Sequence, residues 1–361
     1  MGKLCANTAN EYDISRATEA DVAGFLELHQ TVFGTWPRHA ARDVFRWKYE
    51  ENPYFDDIPV IVARKNGDVV GAKGHFGLEM VIGDVMLLGV QTGDLMVHPA
   101  HRQQGIHSEM VALDTELFDS GEQLFFGFPD EIPSKAYLSA GRQRIENPFY
   151  VKPMSLTTDG RGQSGRLRRT GRKIAFSGLA AYSQAVDRIF SRSDQFEIVR
   201  ESEPPIEILE ALYQKSVPDG IHAHRSADFY RWRLSDPLEE NTTYLARDDG
   251  SVVAAIVVAE REDKVFLREI LPFSIDKDAF QTLLRTIVAD HSDRTYLGSW
   301  CPACMSTDTL LKAGFIPLNV LPRQSYSTDI IVRRVGEGWT VSGLEINRAA
   351  NWDVQLLERD Y

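Results

Sequence analysis

The stretch Ala63-Arg64-Lys65-Asn66-Gly67-Asp68-Val69-Val70-Gly71-Ala72 returns in the second half of the chain as Ala246-Arg247-Asp248-Asp249-Gly250-Ser251-Val252-Val253-Ala254-Ala255, with six of ten positions identical. In the first copy, two β-rich runs flank Lys65-Asn66-Gly67-Asp68. Asn-Gly accepts the left-handed backbone of a short hairpin turn. Phe45-Arg46-Trp47-Lys48, with Asn52-Pro53 after it, precedes the first copy; Tyr230-Arg231-Trp232-Arg233, with Asp236-Pro237 after it, precedes the second at similar spacing. Ala140-Gly141 and Ala313-Gly314-Phe315 then follow in the same order. Three collinear matches point to one unit duplicated, about 14–150 and 196–330.

Working outward, Ile14 opens a short strand, Thr18 is placed as a helix N-cap, and Val22, Phe25, Leu26 and Leu28 recur at helical spacing. Met80–Ile82 and Val85–Val90 read as strands around Gly83-Asp84, and Gly93–His98 carries the last of them to Pro99. Ile106, Met110, Leu113 and Leu117 are again helical in spacing, Leu124–Phe128 is an aromatic strand of core character, and Ser134–Ala140 is a helix stopped by Gly141. This alternation predicts an α/β (α+β) protein, each half a mixed, mainly antiparallel sheet flanked by helices. Thr157–Lys173, rich in Gly and Ser and carrying Arg161, Arg166, Arg168, Arg169, Arg172 and Lys173, reads as a flexible basic boundary. The expected division is 1–155, a linker and helix at 156–195, a second domain at 196–335 and an extension at 336–361.

Composition narrows the function. The 361 residues suit two domains, and 40 Lys+Arg against 52 Asp+Glu gives a net charge of −12. Such a balance argues against a general nucleic-acid or anionic-membrane binder, both of which need broad basic surface. Three cysteines make no disulfide framework, no run reaches the length of a spanning helix, and Met1–Tyr12 has no signal-peptide core, so the cytoplasm is the expected compartment. Trp300-Cys301-Pro302-Ala303-Cys304 resembles a thioredoxin-type redox motif, but repeat register makes it the turn before the last helix of the second copy, a structural role. His98, His101 and His107 cluster without a carboxylate or cysteine at ligand spacing, so no metal is expected.

Arg102-Gln103-Gln104-Gly105-Ile106-His107 lies between a strand and a helix, where backbone N–H groups are unpaired and meet the positive end of a helix dipole. That is an anion cradle. With Val97-His98-Pro99 before it, the loop resembles motif A of the Gcn5-related N-acetyltransferases, the GNAT superfamily. Ile14–Asp21 is similar to that family's opening strand and cap, and Ala136-Tyr137-Leu138-Ser139-Ala140-Gly141 to its Tyr-x-x-x-Gly helix. The resemblance implies acetyl transfer from acetyl-CoA to a primary amine by direct attack. It implies that Met96, Val97 and His98 align the thioester and pantetheine, and that Arg102, Gln103, Gln104, Gly105, Ile106 and His107 hold the pyrophosphate. Tyr137 falls at the family's general-acid position, and its ordinary pKa of about 10 exceeds that of a thiol at about 8.5. Two departures stand out: His107 where Gly or Ala is usual, and Arg142 where Phe follows the glycine. Asp94, Glu79 and Gln91 sit on strands lining the acceptor side, with Asp94 taken as the base; an acidic cleft with Asp130 and Glu131 would favour a cationic amine.

The second copy has lost both functional parts. Ser274-Ile275-Asp276-Lys277-Asp278-Ala279 has no glycine at the loop position, and Leu310 stands where Tyr137 stands in the first. A degenerate second domain is expected, completing a sheet, walling the acceptor cleft or forming the face of a homodimer. Two rival readings use the same fold: a non-enzymatic acyl-CoA or ligand-binding protein, and a double-GNAT aminoacyl or long-chain acyl transferase.

Overall fold

The computed structural model describes residues 11–118, 123–129, 138, 141–154, 195–318, 329–333, 335–336 and 338–360. The basic stretch 157–173 and all of the helix expected at Ser134–Ala140 except Leu138 lie outside them. In the first half, strand β1 (Asp13–Arg16) leads to helices α1 (Val22–Val32) and α2 (Ala41–Phe45) and one π-helical turn, Arg46–Glu50. Three antiparallel strands follow, β2 (Val60–Lys65), β3 (Asp68–Ile82) and β4 (Val85–Val97), then α3 (Ile106–Phe118), β5 (Leu124–Gly127), β6 (Gln143–Ile145) and β7 (Tyr150–Pro153). The second half runs β8 (Glu197–Glu201), α4 (Ile206–Gln214), β9 (His222–Ala223), α5 (Ala227–Arg233), β10 (Asn241–Asp248), β11 (Ser251–Arg261), β12 (Lys264–Leu271), α6 (Lys277–Asp290), β13 (Tyr296–Ser299), α7 (Thr307–Lys312), β14 (Ile316–Pro317) and β15 (Ile330–Val332).

Thr18 behaves as expected of a cap: its amide donates to Asp21 Oδ2 at 2.7 Å, and Arg64 clamps both Asp21 oxygens at 2.6 Å. The runs read as separate strands at Val69–Ala72 and Met80–Ile82 are one strand, β3. Its middle hides from a hydropathy reading because Lys73 and His75 are buried polar residues and Gly74 and Gly77 have no side chain. A Cβ at Gly74 would run into the Tyr49 hydroxyl, and one at Gly77 would lie 2.7 Å from the Phe55 ring.

The two sheets share one plan. The first has the order β1-β2-β3-β4-β5-β15-β6, the second β8-β10-β11-β12-β13-β7-β14. In each, one neighbouring pair is parallel, β4 with β5 and β12 with β13, and the others are antiparallel. Each sheet also takes a strand from the other half. β15 inserts between β5 and β6, and β7 between β13 and β14. β9 adds a third exchange by pairing with the edge of β3 through Met80–Ala223 and Val81–His222.

The largest apolar core lies between the halves, joining Trp47, Phe76, Leu78, Met80 and Phe126 to Trp232, Leu245, Val257, Trp300 and Trp352. At its centre Trp47 Nε1 donates to the Trp232 carbonyl at 2.7 Å and Trp232 Nε1 donates to the Trp47 carbonyl at 2.8 Å. Phe128 and Trp300, which follow equivalent strands β5 and β13, pack on each other with tilted rings whose centroids lie 4.7 Å apart. The division expected at 155 and 196 therefore separates sequence copies whose sheets are completed across it. Fragments 1–155 and 156–361 expressed separately should each lack a cooperative thermal transition, because each loses an internal strand and half of the shared core. Co-expression should restore one transition at the temperature of the intact chain, as read by calorimetry.

Candidate active site

The loop Arg102–His107 leaves β4 through a short 3-10 turn, Pro99–His101, and enters α3. Gln103 (φ 63°) and Gly105 (φ 82°) adopt left-handed backbone, the alternation that gathers N–H groups into an anion-binding concavity. Among the described residues, the amides of Gln103 to His107 have no backbone acceptor. A Cβ on Gly105 would meet nothing nearer than Glu109 Oε1 at 3.9 Å, so within the protein glycine is required by its φ, and the space above it is open to a ligand. Side chains brace the loop: Tyr12 donates to Gln104 Oε1 at 2.5 Å and lies 3.1 Å from His101 Nδ1, and Arg102 Nε donates to the Val97 carbonyl at 3.2 Å. His107 is half-buried, with the Nε2 end of its ring sunk in the protein; burial and the nearby Lys73 ammonium push its imidazole below the usual range. It is neutral at pH 7.

β4 pairs with β5 through Gly89–Leu124, Val90–Phe125 and Gln91–Phe126; β5 ends at Gly127, and β4 runs on past it to Val97. At the same point β4 bulges. Gly93 faces Gly74 and Met96 faces Ala72, so Asp94 and Leu95 together oppose Lys73, with Asp94 at φ 41°. The Met96 side chain is buried against α1 and α2. His98 ends the strand, its amide bonded to the Val70 carbonyl at 2.8 Å and its Nδ1 accepting from Ala100 at 3.3 Å. Met96, Val97, His98 and the loop through His107 thus follow one another from the end of β4 into α3. The expected acid Tyr137, with Asp130 and Glu131, lies outside the described residues.

On the opposite face of β4, Asp94 joins a cluster that sequence reading did not assemble. Lys48 Nζ lies 2.8 Å from both Asp94 Oδ2 and Asp360 Oδ1, and the Tyr49 hydroxyl donates to Asp94. Burial raises the pKa of Asp94, but the Lys48 ammonium and the two hydrogen bonds outweigh it and hold the carboxyl below its usual range. Asp360, sharing the same ammonium, is pushed up by burial. Asp360 gets there because the chain's last stretch threads between the halves. Gln91 Nε2 donates to the Glu358 carbonyl at 2.6 Å, Arg233 donates to the Leu357 and Arg359 carbonyls at 2.7 and 3.0 Å, and the buried Arg225 bridges Glu269 and Glu358. Lys48 and Arg233 are equivalent positions of the repeat, which was the one sequence signal that could have found this cluster. Glu79 is elsewhere, paired with His224 at 2.7 Å. His98 and His101 rings lie 5.7 Å apart, and among the described residues no group of metal-ligating side chains forms.

The matching place in the second half is closed to an anion. Asp276 caps α6 and accepts from the Asp278 and Ala279 amides at 2.8 and 3.0 Å, so a carboxylate of the chain itself takes the N–H groups a phosphate would need. Leu310, at the position of the expected acid, is fully buried.

Comparison with known proteins bears on the family and the fold. Residues 13–141 match the family model described as an acetyltransferase (GNAT) domain. A GCN5-related N-acetyltransferase from Kribbella flavida is similar in fold, with a TM-score of 0.61 and 14% identity over 90% of this chain and 71% of that one. One from Anabaena variabilis ATCC 29413 gives 0.60 and 12% over 90% and 73%. A probable N-acyltransferase of Enterococcus faecalis V583 gives 0.60 and 11% over the same shares. No curated protein sequence matches the chain.

The Trp-Cys-x-x-Cys stretch lacks the features of a redox pair. A redox pair needs a thiol of lowered pKa, whereas burial pushes Cys301 up to about 11, and burial with the neighbouring Asp353 raises Cys304 further. In a Cys5→Ser background, iodoacetamide at pH 7.5 should alkylate Cys301 and Cys304 at least ~10-fold more slowly than glutathione, as followed by mass spectrometry.

Proposed function

Because residues 13–141 match the family model of an acetyltransferase (GNAT) domain, we propose that this protein is an acyl-CoA-dependent N-acyltransferase that moves acetyl from acetyl-CoA to a primary amine. The observation that carries this reading is the row of amides from Gln103 to His107, which among the described residues have no backbone acceptor and stand at the start of α3 next to the end of β4. Arg102, Gln103, Gln104, Gly105, Ile106 and His107 hold the donor's pyrophosphate, and the main chain from Met96 to His98 aligns its pantetheine arm. Acetyl-CoA supplies an activated acyl group, and no metal is needed for the transfer.

An alkylammonium must lose a proton before it can attack, since its pKa is near 10. The pair Asp94 and Asp360 supplies the acceptor for that proton. Two carboxylates on one ammonium cannot ionise equally, so Asp94 stays charged while Asp360 is the one nearer to holding a proton. Attack forms the N–C bond, the C–S bond breaks, and Tyr137 gives its proton to the leaving thiolate; the proton lost from the product nitrogen restores the tyrosine. The second half completes the first sheet and walls the acceptor side, with no donor site of its own. Among the described residues Cys301 and Cys304 are free, which fits a cytoplasmic protein.

Acetyl-CoA at about 100 times its Kd should stabilise the protein by about 2.7 kcal/mol, and thiol release with a panel of amines should be saturable. Gly105→Val should weaken donor binding, while Tyr137→Phe should lower kcat and leave acetyl-CoA affinity nearly unchanged. Stabilisation by acetyl-CoA with no turnover of any amine would favour a ligand sensor, and neither effect would defeat the donor reading. A carboxylate base must be ionised, so kcat/KM should rise with pH through its pKa, on a limb above the ordinary carboxylate range. Asp360→Asn should depress kcat/KM and erase that limb in a pH profile from 4 to 9.

A further inference from the structure

Behind the donor loop, the layer between β3 and α3 contains a charged cluster that the transfer chemistry does not use. Lys73 and His75 project from the same face of β3, and both reach Asp114 on α3: the Lys73 ammonium pairs with Oδ2, and His75 Nε2 lies 2.5 Å from Oδ1. His75 Nδ1 lies 3.0 Å from the Pro59 carbonyl. All three side chains are sealed from solvent in a layer otherwise built of Ile61, Ala63, Val90, Ile106, Met110 and Phe125.

Burying an ion pair forfeits hydration that the pair's attraction rarely restores, so apolar residues would fill this space at equal or better stability. The placement of Lys73 suggests what the pair does instead. Lys73 stands opposite the β4 bulge at Asp94 and Leu95, in the part of β4 that runs on past the end of β5. Two residues earlier, Gly71 lets Ile106, the first residue of α3, settle onto β3; a Cβ there would lie 3.0 Å from Ile106 Cγ2. The helix that carries the loop therefore touches β3 at its first residue, and again at Asp114, about 12 Å along its axis at 1.5 Å per residue.

We propose that the Lys73–Asp114–His75 cluster is a positioning unit that holds the phosphate loop at the start of α3 in register with the β4 bulge, so that one donor molecule engages both at once. This rests on the donor reading above. A donor held at two points gains from the second only if the points are spaced to match it, and a shift of about 1 Å is enough to lose much of that gain. Burial lowers the pKa of Lys73 against the pull of Asp114, with the Arg142 and Arg333 charges acting in the same direction, and burial also lowers that of His75. Lys73 and Asp114 are therefore removed together, so that neither is left as the other's orphan.

The test compares the unaltered protein with the full-length double variant Lys73→Met/Asp114→Leu, using three probes: acetyl-CoA, S-acetylpantetheine for the bulge end alone, and adenosine 3′,5′-bisphosphate for the loop end alone. Positioning predicts that acetyl-CoA binds ~10-fold or more weakly to the variant, while each fragment changes by less than about twofold, with the melting temperature kept. Unchanged acetyl-CoA affinity in the folded variant would overturn the proposal, as would an equal loss for all three probes. If the double variant does not fold, Asp114→Asn, which keeps the volume and an oxygen facing Lys73, is read by the same criterion. Failure of the unaltered protein to bind acetyl-CoA would instead strike the donor reading, and this one with it.

Discussion

Trp47 and Trp232 each give an indole N–H to the other's main-chain carbonyl, at 2.7 and 2.8 Å, inside a core from which water is excluded. A buried donor or carbonyl left without its partner costs about 1–3 kcal/mol, so neither half can present this surface to solvent or to an unrelated chain without penalty. The two bonds relate the repeated motifs by an approximate twofold axis, and much of the molecule follows from that placement. It brings Phe128 onto Trp300, lays β9 against β3, and lets β15 and β7 cross into the opposite sheets. It also leaves one long seam between the halves, and the final stretch of chain fills it.

That seam explains why the neighbouring basic positions of the repeat, Lys48 and Arg233, have diverged in partner while keeping their charge. Arg233 grips the carbonyls of Leu357 and Arg359; Lys48 holds the carboxylates of Asp94 and Asp360. Both point into the same seam, and both bind the same closing segment. The Lys48 cluster is consequently built by three parts of the sequence far apart in number. The loop Arg102–His107 is almost wholly local, a single run from the end of β4 into α3. In the second half a carboxylate, Asp276, is seated on the N–H groups at the start of α6.

How much of this could be read in advance depended on the range of the interactions. Hairpin turns, helix periodicity, the Thr18 cap and the loop Arg102–His107 are set by residues within a few positions of one another, and the structure has them where the pattern put them. β3 was fragmented in the reading because Lys73 and His75 look exposed in any hydropathy pattern, and only Asp114 on α3 makes their burial tolerable. Asp94 was recognisable as a carboxylate on β4. That it shares a lysine with Asp360 was not, because nothing near Asp360 in the sequence announces where the last residues go.

The sequence by itself determined the family resemblance, the internal sequence matches, the glycine-containing loop Arg102–His107 and the absence of such a glycine at the matching place in the second half, since each is a matter of local residue order. Tertiary structure decided which strand completes which sheet and which charges are buried together. The physical reason is that strand exchange, the paired tryptophans and the Lys48 cluster join residues that meet only after both halves have folded against each other, and a buried charge declares its partner only once water has been removed from around it.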